Sequence, residues 1–162
     1  MSPCGMNEKT HLIASASADQ TAELAAMLAP ALAAGDVILL QGDVGAGKTH
    51  FARALIQSVL GMAEDVPSPT FTLVQTYPAP VCDIWHADLY RLTSIQEVEE
   101  LGLVGAFETD ICLVEWPDRL GQLAPAHALT LAIRTSATDE ARMINASWTD
   151  VKWDNKVSRW NI

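Results

Sequence analysis

An α/β fold, with a mostly parallel central sheet flanked by helices, is the class this sequence predicts. Three observations carry it. Short apolar runs of strand length alternate with amphipathic runs of helical period. One run, "VILLQ", leads into the glycine-rich stretch "GDVGAGKT" and then into a helical pattern. Two others, "VCDIWHAD" and "ICLVE", end in an acidic residue. With 162 residues, 49% of them hydrophobic and 19% charged, the chain suits a single domain around one core.

The elements follow in order. The opening "MSPCGMNEKTHLIAS" lacks the basic start and long apolar stretch of a secretory signal. No apolar run approaches the roughly 20 residues that span a bilayer. A cytoplasmic location is expected, with no membrane partner. Residues 17–32 read as a helix: Ser17 and Gln20 form a capping box, and Leu24, Met27, Leu28 and Leu32 line one face. Pro30 should kink or end it. "DVILLQ" reads as a strand buried on both faces. "HFARALIQSVLG" reads as a helix with rows Phe51, Leu55, Val59 and Ala52, Ile56, Leu60, stopped by Gly61.

Residues 68–77, "SPTFTLVQTY", start as a loop and become a strand. "VCDIWHADLY" is a strand ending near Asp88. In "SIQEVEELG", Ser94 and Glu97 form a second capping box, with Gly102 after it. "ICLVEW" is a fully apolar strand that ends in Glu115. "LTLAIR" and "RMINASW" look like a late pair of strands suited to antiparallel pairing. The end of the chain, with Lys152, Lys156 and Arg159, reads as a mildly basic, solvated tail, irregular after about residue 150.

The strand–loop–helix order gives "GDVGAGKT" its meaning. Gly42, Gly45 and Gly47 let the backbone curl so that successive N–H groups of Gly42, Asp43, Val44, Gly45, Ala46, Gly47, Lys48, Thr49 and His50 face a phosphate chain. The helix that follows aims its positive end at the same point. Lys48 reaches the β- and γ-phosphates from a solvent-facing loop, and the Thr49 hydroxyl holds Mg²⁺. A second carboxylate for the metal belongs at the end of a neighbouring buried strand. Glu115 has that pattern; Asp88 suits orienting water or the metal sphere. The Asn-Lys-x-Asp signature of guanine readers fails, because Asn155–Lys156 is followed by Val157 and Ser158. ATP is therefore the expected nucleotide, and residues 1–162 form one P-loop ATPase domain.

Charge and cysteines exclude other classes. Ten basic against twenty acidic residues give a formal net charge of −10. Between Arg53 and Arg134 only Arg91 and Arg119 are basic. No basic stripe marks a nucleic-acid footprint. Cys4, Cys82 and Cys112 contain no C-x-x-C pair, so neither a zinc knuckle nor a redox pair is indicated. "HAD" at 86–88 supplies only two metal-ligand types, too few to define a site.

Taken with "GDVGAGKT" and "EVEELGL", the stretches "SPTFTLVQTY", "HADLYRL" and "VEWPDRL", in this order, closely resemble the bacterial TsaE (YjeE) family over residues 15–135. That family is the ATPase component of tRNA threonylcarbamoyladenosine biosynthesis. The resemblance implies a P-loop NTPase-like fold, with Mg²⁺ ligands on Thr49 and Glu115. It implies a switch-like loop on Ser68, Pro69 and Thr70, with Thr70 a catalytic candidate beside Lys48 and Asp88. The segment Asp19–Thr21 and residues after Trp116 would face the nucleoside, with Trp116 and His50 beside the nucleotide. It further implies TsaB- and TsaD-type partners, reaching tRNA only through them, and slow hydrolysis alone. Ala87 stands where the family has Phe, and His50 where it often has a second Thr. Trp116, Tyr90 and Arg91 suit structural packing equally well. Arg91 and Arg119 are both candidates to assist phosphoryl transfer, and spacing selects neither. Two rival readings are a small-molecule kinase related to shikimate kinase and a nucleotide-gated adapter. The helix before the loop and the scarcity of mid-chain arginines disfavour the kinase.

Overall fold

A computed structural model describes residues 8–61, 66–67, 73–136 and 138–160. In chain order the strands are β1 (Lys9–Ser15), β2 (Val37–Gln41), β3 (Val74–Tyr77), β4 (Ile84–Asp88), β5 (Ile111–Glu115), β6 (Leu129–Thr135) and β7 (Arg142–Trp148). The helices are α1 (Ala18–Leu28), α2 (Lys48–Leu60), α3 (Ile95–Glu100), α4 (Leu103–Thr109) and α5 (Lys152–Val157). Among the described residues seven strands join one sheet in the order β1-β7-β6-β2-β5-β4-β3. The four central strands, β6-β2-β5-β4, are parallel. The outer pairs β1·β7, β7·β6 and β4·β3 are antiparallel. The fold is α/β and P-loop NTPase-like, and the expected parallel sheet is its centre.

Alternation along the central strands builds two cores. Ile38 and Leu40 face the layer of α1, α2 and α5, with Phe51, Leu55 and Ile56 packed on them. Val37 and Leu39 face α3 and α4, against Val98, Leu103 and Phe107. Strands covered on both faces must read as continuous apolar runs, as β2 and β5 do.

Local chemistry sets the helix ends. Ser17 Oγ accepts the Gln20 N–H at 3.1 Å, and Gln20 Oε1 accepts the Ala16 N–H. The first helix gives way at Ala29–Ala31 to a 3₁₀ turn containing Pro30. Ser94 and Glu97 form the second capping box: Ser94 Oγ accepts the Glu97 N–H, and the Glu97 carboxylate accepts from Thr93. These donors hold the Glu97 carboxyl below the usual carboxylate range.

Three elements escape the sequence pattern. β1 is an edge strand whose Leu12 is left exposed, so its alternation is weak. α4 follows α3 after only Leu101 and the left-handed Gly102. Among the described residues the tail is regular rather than irregular, and only partly exposed. Residues 152–157 are helical and 158–160 form a 3₁₀ turn. Trp153 and Trp160 are fully buried there, and their indole N–H groups donate to the carbonyls of His127 and Leu24, each at 2.7 Å. Lys152 and Lys156 both pair with buried Asp36. Two of the tail's basic residues, Lys152 and Lys156, thus serve a buried carboxylate, while Arg159 stays exposed. Among the described residues no helix is long and apolar enough to cross a membrane.

Candidate functional site

The candidate site lies at the C-terminal ends of the parallel strands, where open α/β sheets present their ligand crevices. β2 ends at Gln41, and the chain turns through 42–47 before α2 begins at Lys48. Gly42 has φ +152°, and a Cβ there would sit 2.5 Å from the Ile133 carbonyl oxygen. Only glycine permits that approach of loop to β6. Gly47 caps α2 at φ +110°, in the left-handed region. Val44 forms the exposed tip and Ala46 is buried underneath.

Lys48 is 5% exposed rather than solvent-facing. Its ammonium donates to the carbonyls of Gly42 at 2.6 Å and Asp43 at 2.9 Å, and lies 4.4 Å from the Trp116 ring centroid. Burial lowers its pKa, opposed by the negative charges of Glu115, Asp88 and Asp43.

The parallel register of β4 and β5 sets Asp88 directly beside Glu115, and both are buried. The Thr49 hydroxyl donates to both Glu115 carboxylate oxygens, at 2.9 and 3.0 Å. Glu115 Oε2 also lies 2.6 Å from Nε2 of fully buried His86. Asp88 Oδ1 accepts the Tyr90 N–H at 3.1 Å. His86 and Asp88 share one face of β4, so "HAD" turns its histidine to Glu115 rather than forming a separate metal site.

Thr49 and Glu115 offer hard oxygen donors in mutual reach. Among the described residues no cluster of three or more His, Cys, Asp or Glu could cage a metal. That combination fits Mg²⁺, which takes one or two protein oxygens and completes its shell with water and phosphate.

The loop, Lys48, Thr49, His50, Asp88, Tyr90, Glu115, Trp116 and Arg142 line one cavity of about 540 Å³. Tyr90 and Trp116 pack with ring centroids 4.8 Å apart, and Trp116 adopts a left-handed φ of +58° immediately after Glu115. The structure thus brings Gly45, Gly47, Lys48, Thr49, His50, Asp88, Glu115 and Trp116 together. Ser68, Pro69 and Thr70 lie outside the described residues. His50 Nε2 contacts the Ala18 carbonyl at 2.8 Å, which ties the loop helix to the start of α1. Arg119 donates to the Tyr90 carbonyl. Among the described residues lining the cavity the arginine is Arg142, not Arg91 or Arg119. Sequence reasoning missed Arg142. It opens β7, almost a hundred residues after the loop, and nothing local marks it.

Comparison with known proteins supports one family. The model of "Threonylcarbamoyl adenosine biosynthesis protein TsaE" matches residues 15–144. A Rickettsia bellii tRNA threonylcarbamoyladenosine biosynthesis protein TsaE is 37% identical over 129 residues, 80% of this chain and 89% of that protein. The Rickettsia conorii TsaE is 44% identical over 107 residues, 66% of this chain and 61% of that protein's length. The Bacillus subtilis TsaE is 37% identical over 123 residues, 75% and 76% of the two chains. Among solved structures, Bacillus subtilis YdiB superposes with a TM-score of 0.76 at 27% identity, covering 96% of both chains.

Proposed function

The chain belongs to the TsaE family of threonylcarbamoyl adenosine biosynthesis proteins, and on that premise we propose that it is the ATP-binding and hydrolysing component of tRNA threonylcarbamoyladenosine formation. In this reading it is one cytoplasmic domain that works with TsaB- and TsaD-type partners and does not transfer the threonylcarbamoyl group itself. The observation that carries the proposal is the contact of Thr49 with both carboxylate oxygens of Glu115 beside the buried Lys48.

The backbone N–H groups of residues 42–50 bind the phosphate chain at the head of α2. Lys48 exchanges the neutral carbonyls of Gly42 and Asp43 for β- and γ-phosphate oxygens. The negative charge of the triphosphate offsets the desolvation of its ammonium. Thr49 and Glu115 would hold Mg²⁺, which would supply neutralisation of the triphosphate's charge. His86 keeps the Glu115 carboxylate oriented. Asp88 accepts a hydrogen bond from the attacking water and aligns it with the γ-phosphorus. The new bond joins water oxygen to that phosphorus as the bond to the β,γ-bridging oxygen breaks; ADP leaves with that bond's electron pair, inorganic phosphate keeps the new oxygen, and the water's excess proton passes to solvent. Thr70 belongs to the switch-like loop that completes the site. His50 and Trp116 border the nucleotide. Turnover resets the partner complex between modification cycles.

The test is an ATPase assay of the purified chain, alone and with a TsaB–TsaD pair plus unmodified tRNA. Mg²⁺-dependent hydrolysis that rises with the partners is the expected result. Turnover that stays negligible with all partners present would favour a nucleotide-gated adapter.

A further inference from the structure

Arg142 stands outside the phosphate-loop motif, yet it is fastened to that loop. Its Nε donates to the Ala46 carbonyl at 2.6 Å, and its Nη2 reaches the Gly45 carbonyl at 3.4 Å. Its Nη1 donates to the carbonyls of Asp139 at 2.7 Å and Ala141 at 2.9 Å, in the turn between β6 and β7. Glu140, from the same turn, accepts the Ala18 N–H at the start of α1. The guanidinium fork therefore ties the phosphate loop to the β6–β7 turn, and Glu140 ties that turn to the start of α1.

We propose that Arg142 is a positioning residue for nucleotide binding, which holds the Ala46–Gly47 peptide in its phosphate-receiving orientation and the Gly45–Ala46 peptide in the turn that supports it. The inference rests on the nucleotide reading of the site above. A trans peptide sets its C=O and its N–H on opposite sides of the chain. Anchoring the Ala46 carbonyl on Arg142 therefore turns the Gly47 N–H away from the guanidinium, in line with the N–H groups that open α2. Anchoring the Gly45 carbonyl fixes the preceding peptide, whose Ala46 N–H closes a turn onto the Asp43 carbonyl at 3.0 Å. Gly42, Gly45 and Gly47 all sit at positive φ, where glycine is conformationally free. A loop with that freedom pays an ordering cost on binding unless something external fixes its peptides. Arg142 spends four of its five N–H groups on backbone carbonyls. It acts on the nucleotide through the loop, not by touching the reacting atoms. Lysine, a point charge without the fork, cannot span the loop and the turn together.

The experiment measures dissociation constants of N-methylanthraniloyl-labelled ADP and of the matching non-hydrolysable triphosphate by fluorescence anisotropy. Wild type, Arg142→Ala and Arg142→Lys are compared, with binding stoichiometry and melting temperature recorded for each. Losing charge-assisted bonds of this kind should weaken binding about tenfold. We expect that loss in both variants, equal for diphosphate and triphosphate, with one site per chain retained. Arg142→Lys keeps the charge and the aliphatic stem, so it decides the matter if Arg142→Ala does not fold. Wild-type affinity in the lysine variant would overturn the inference by showing that charge alone suffices. So would a larger loss for the triphosphate, which marks direct γ-phosphate contact, or a reduced binding fraction at unchanged affinity, which marks a merely structural role. A wild-type chain that binds neither nucleotide overturns the nucleotide reading itself, whereas unchanged affinity in both variants overturns only the role of Arg142.

Discussion

Lys48 shows how much chemistry one side chain carries before any ligand arrives. It is desolvated, held by two carbonyls and set against an indole face. Removing such a cation costs the fold little, because its burial is itself unfavourable. Lys48→Ala should therefore abolish Mg²⁺-dependent ATP turnover while the melting temperature stays level or rises, measured by an ATPase assay beside a thermal melt. Normal turnover would sink the phosphate-loop assignment. The two acids should separate as well. Glu115→Ala should weaken Mg²⁺-dependent nucleotide binding, because it removes the partner of Thr49, whereas Asp88→Ala should bind ATP and hydrolyse it poorly. Titration calorimetry with a turnover assay distinguishes them, and equal near-normal values in both would refute the roles. Both acids were legible in the sequence as strand ends, Glu115 after a fully apolar run and Asp88 after a more polar strand candidate. His86 read there only as half of a weak metal pair, because its contact with Glu115 joins two strands that are neighbours only in the folded sheet.

At the scale of the loop, its glycines are not equivalent. A Cβ on Gly42 meets the backbone of β6 at 2.5 Å, which neither partner can relieve without moving the sheet. A Cβ on Gly45 meets nothing within 4 Å, so only its φ of +83° opposes a side chain. Gly42→Ala should cost about 3 kcal/mol of stability, in the range of overpacked sites, and Gly45→Ala about 1 kcal/mol, the cost of a left-handed residue. Urea denaturation of the two variants checks the order, and similar losses would show that the approach to Ile133 is not decisive. The motif alone requires glycine at position 42 and leaves position 45 open. The different reasons appear only when β6 is in place beside β2.

The whole molecule contradicts the picture of a loose basic tail. Trp160 is fully buried, packs edge-on to Phe51 at 6.3 Å and donates to α1. Trp160→Ala should therefore cost about 3–5 kcal/mol, seen as a lower urea midpoint; a loss under 1 kcal/mol would return the tail to the surface. Lys152 and Lys156 are engaged by Asp36, so they add little to any polyanion site. With a net charge of −10 the isolated chain should not bind tRNA appreciably near physiological salt. Fluorescence anisotropy of unmodified tRNA, with and without ATP, tests this. Tight saturable binding without partners would make direct tRNA recognition the better reading.

By itself the sequence determined what depends on neighbours along the chain. The phosphate loop between strand and helix, the two capping boxes, the glycine stop at Gly61 and the acid at each strand end all arise from local backbone preferences and short-period burial. The tertiary structure alone decided what depends on distant segments meeting. It paired β1 as an antiparallel edge with β7, closed the C-terminal 3₁₀ turn over α1 and α2, and buried Lys48. It turned His86 onto Glu115 and laid Arg142 across the loop. These contacts join residues tens to more than a hundred positions apart, and the side chains that make them carry no periodicity of their own. Their roles follow from sheet order and strand register, which fix who faces whom only once the chain has folded.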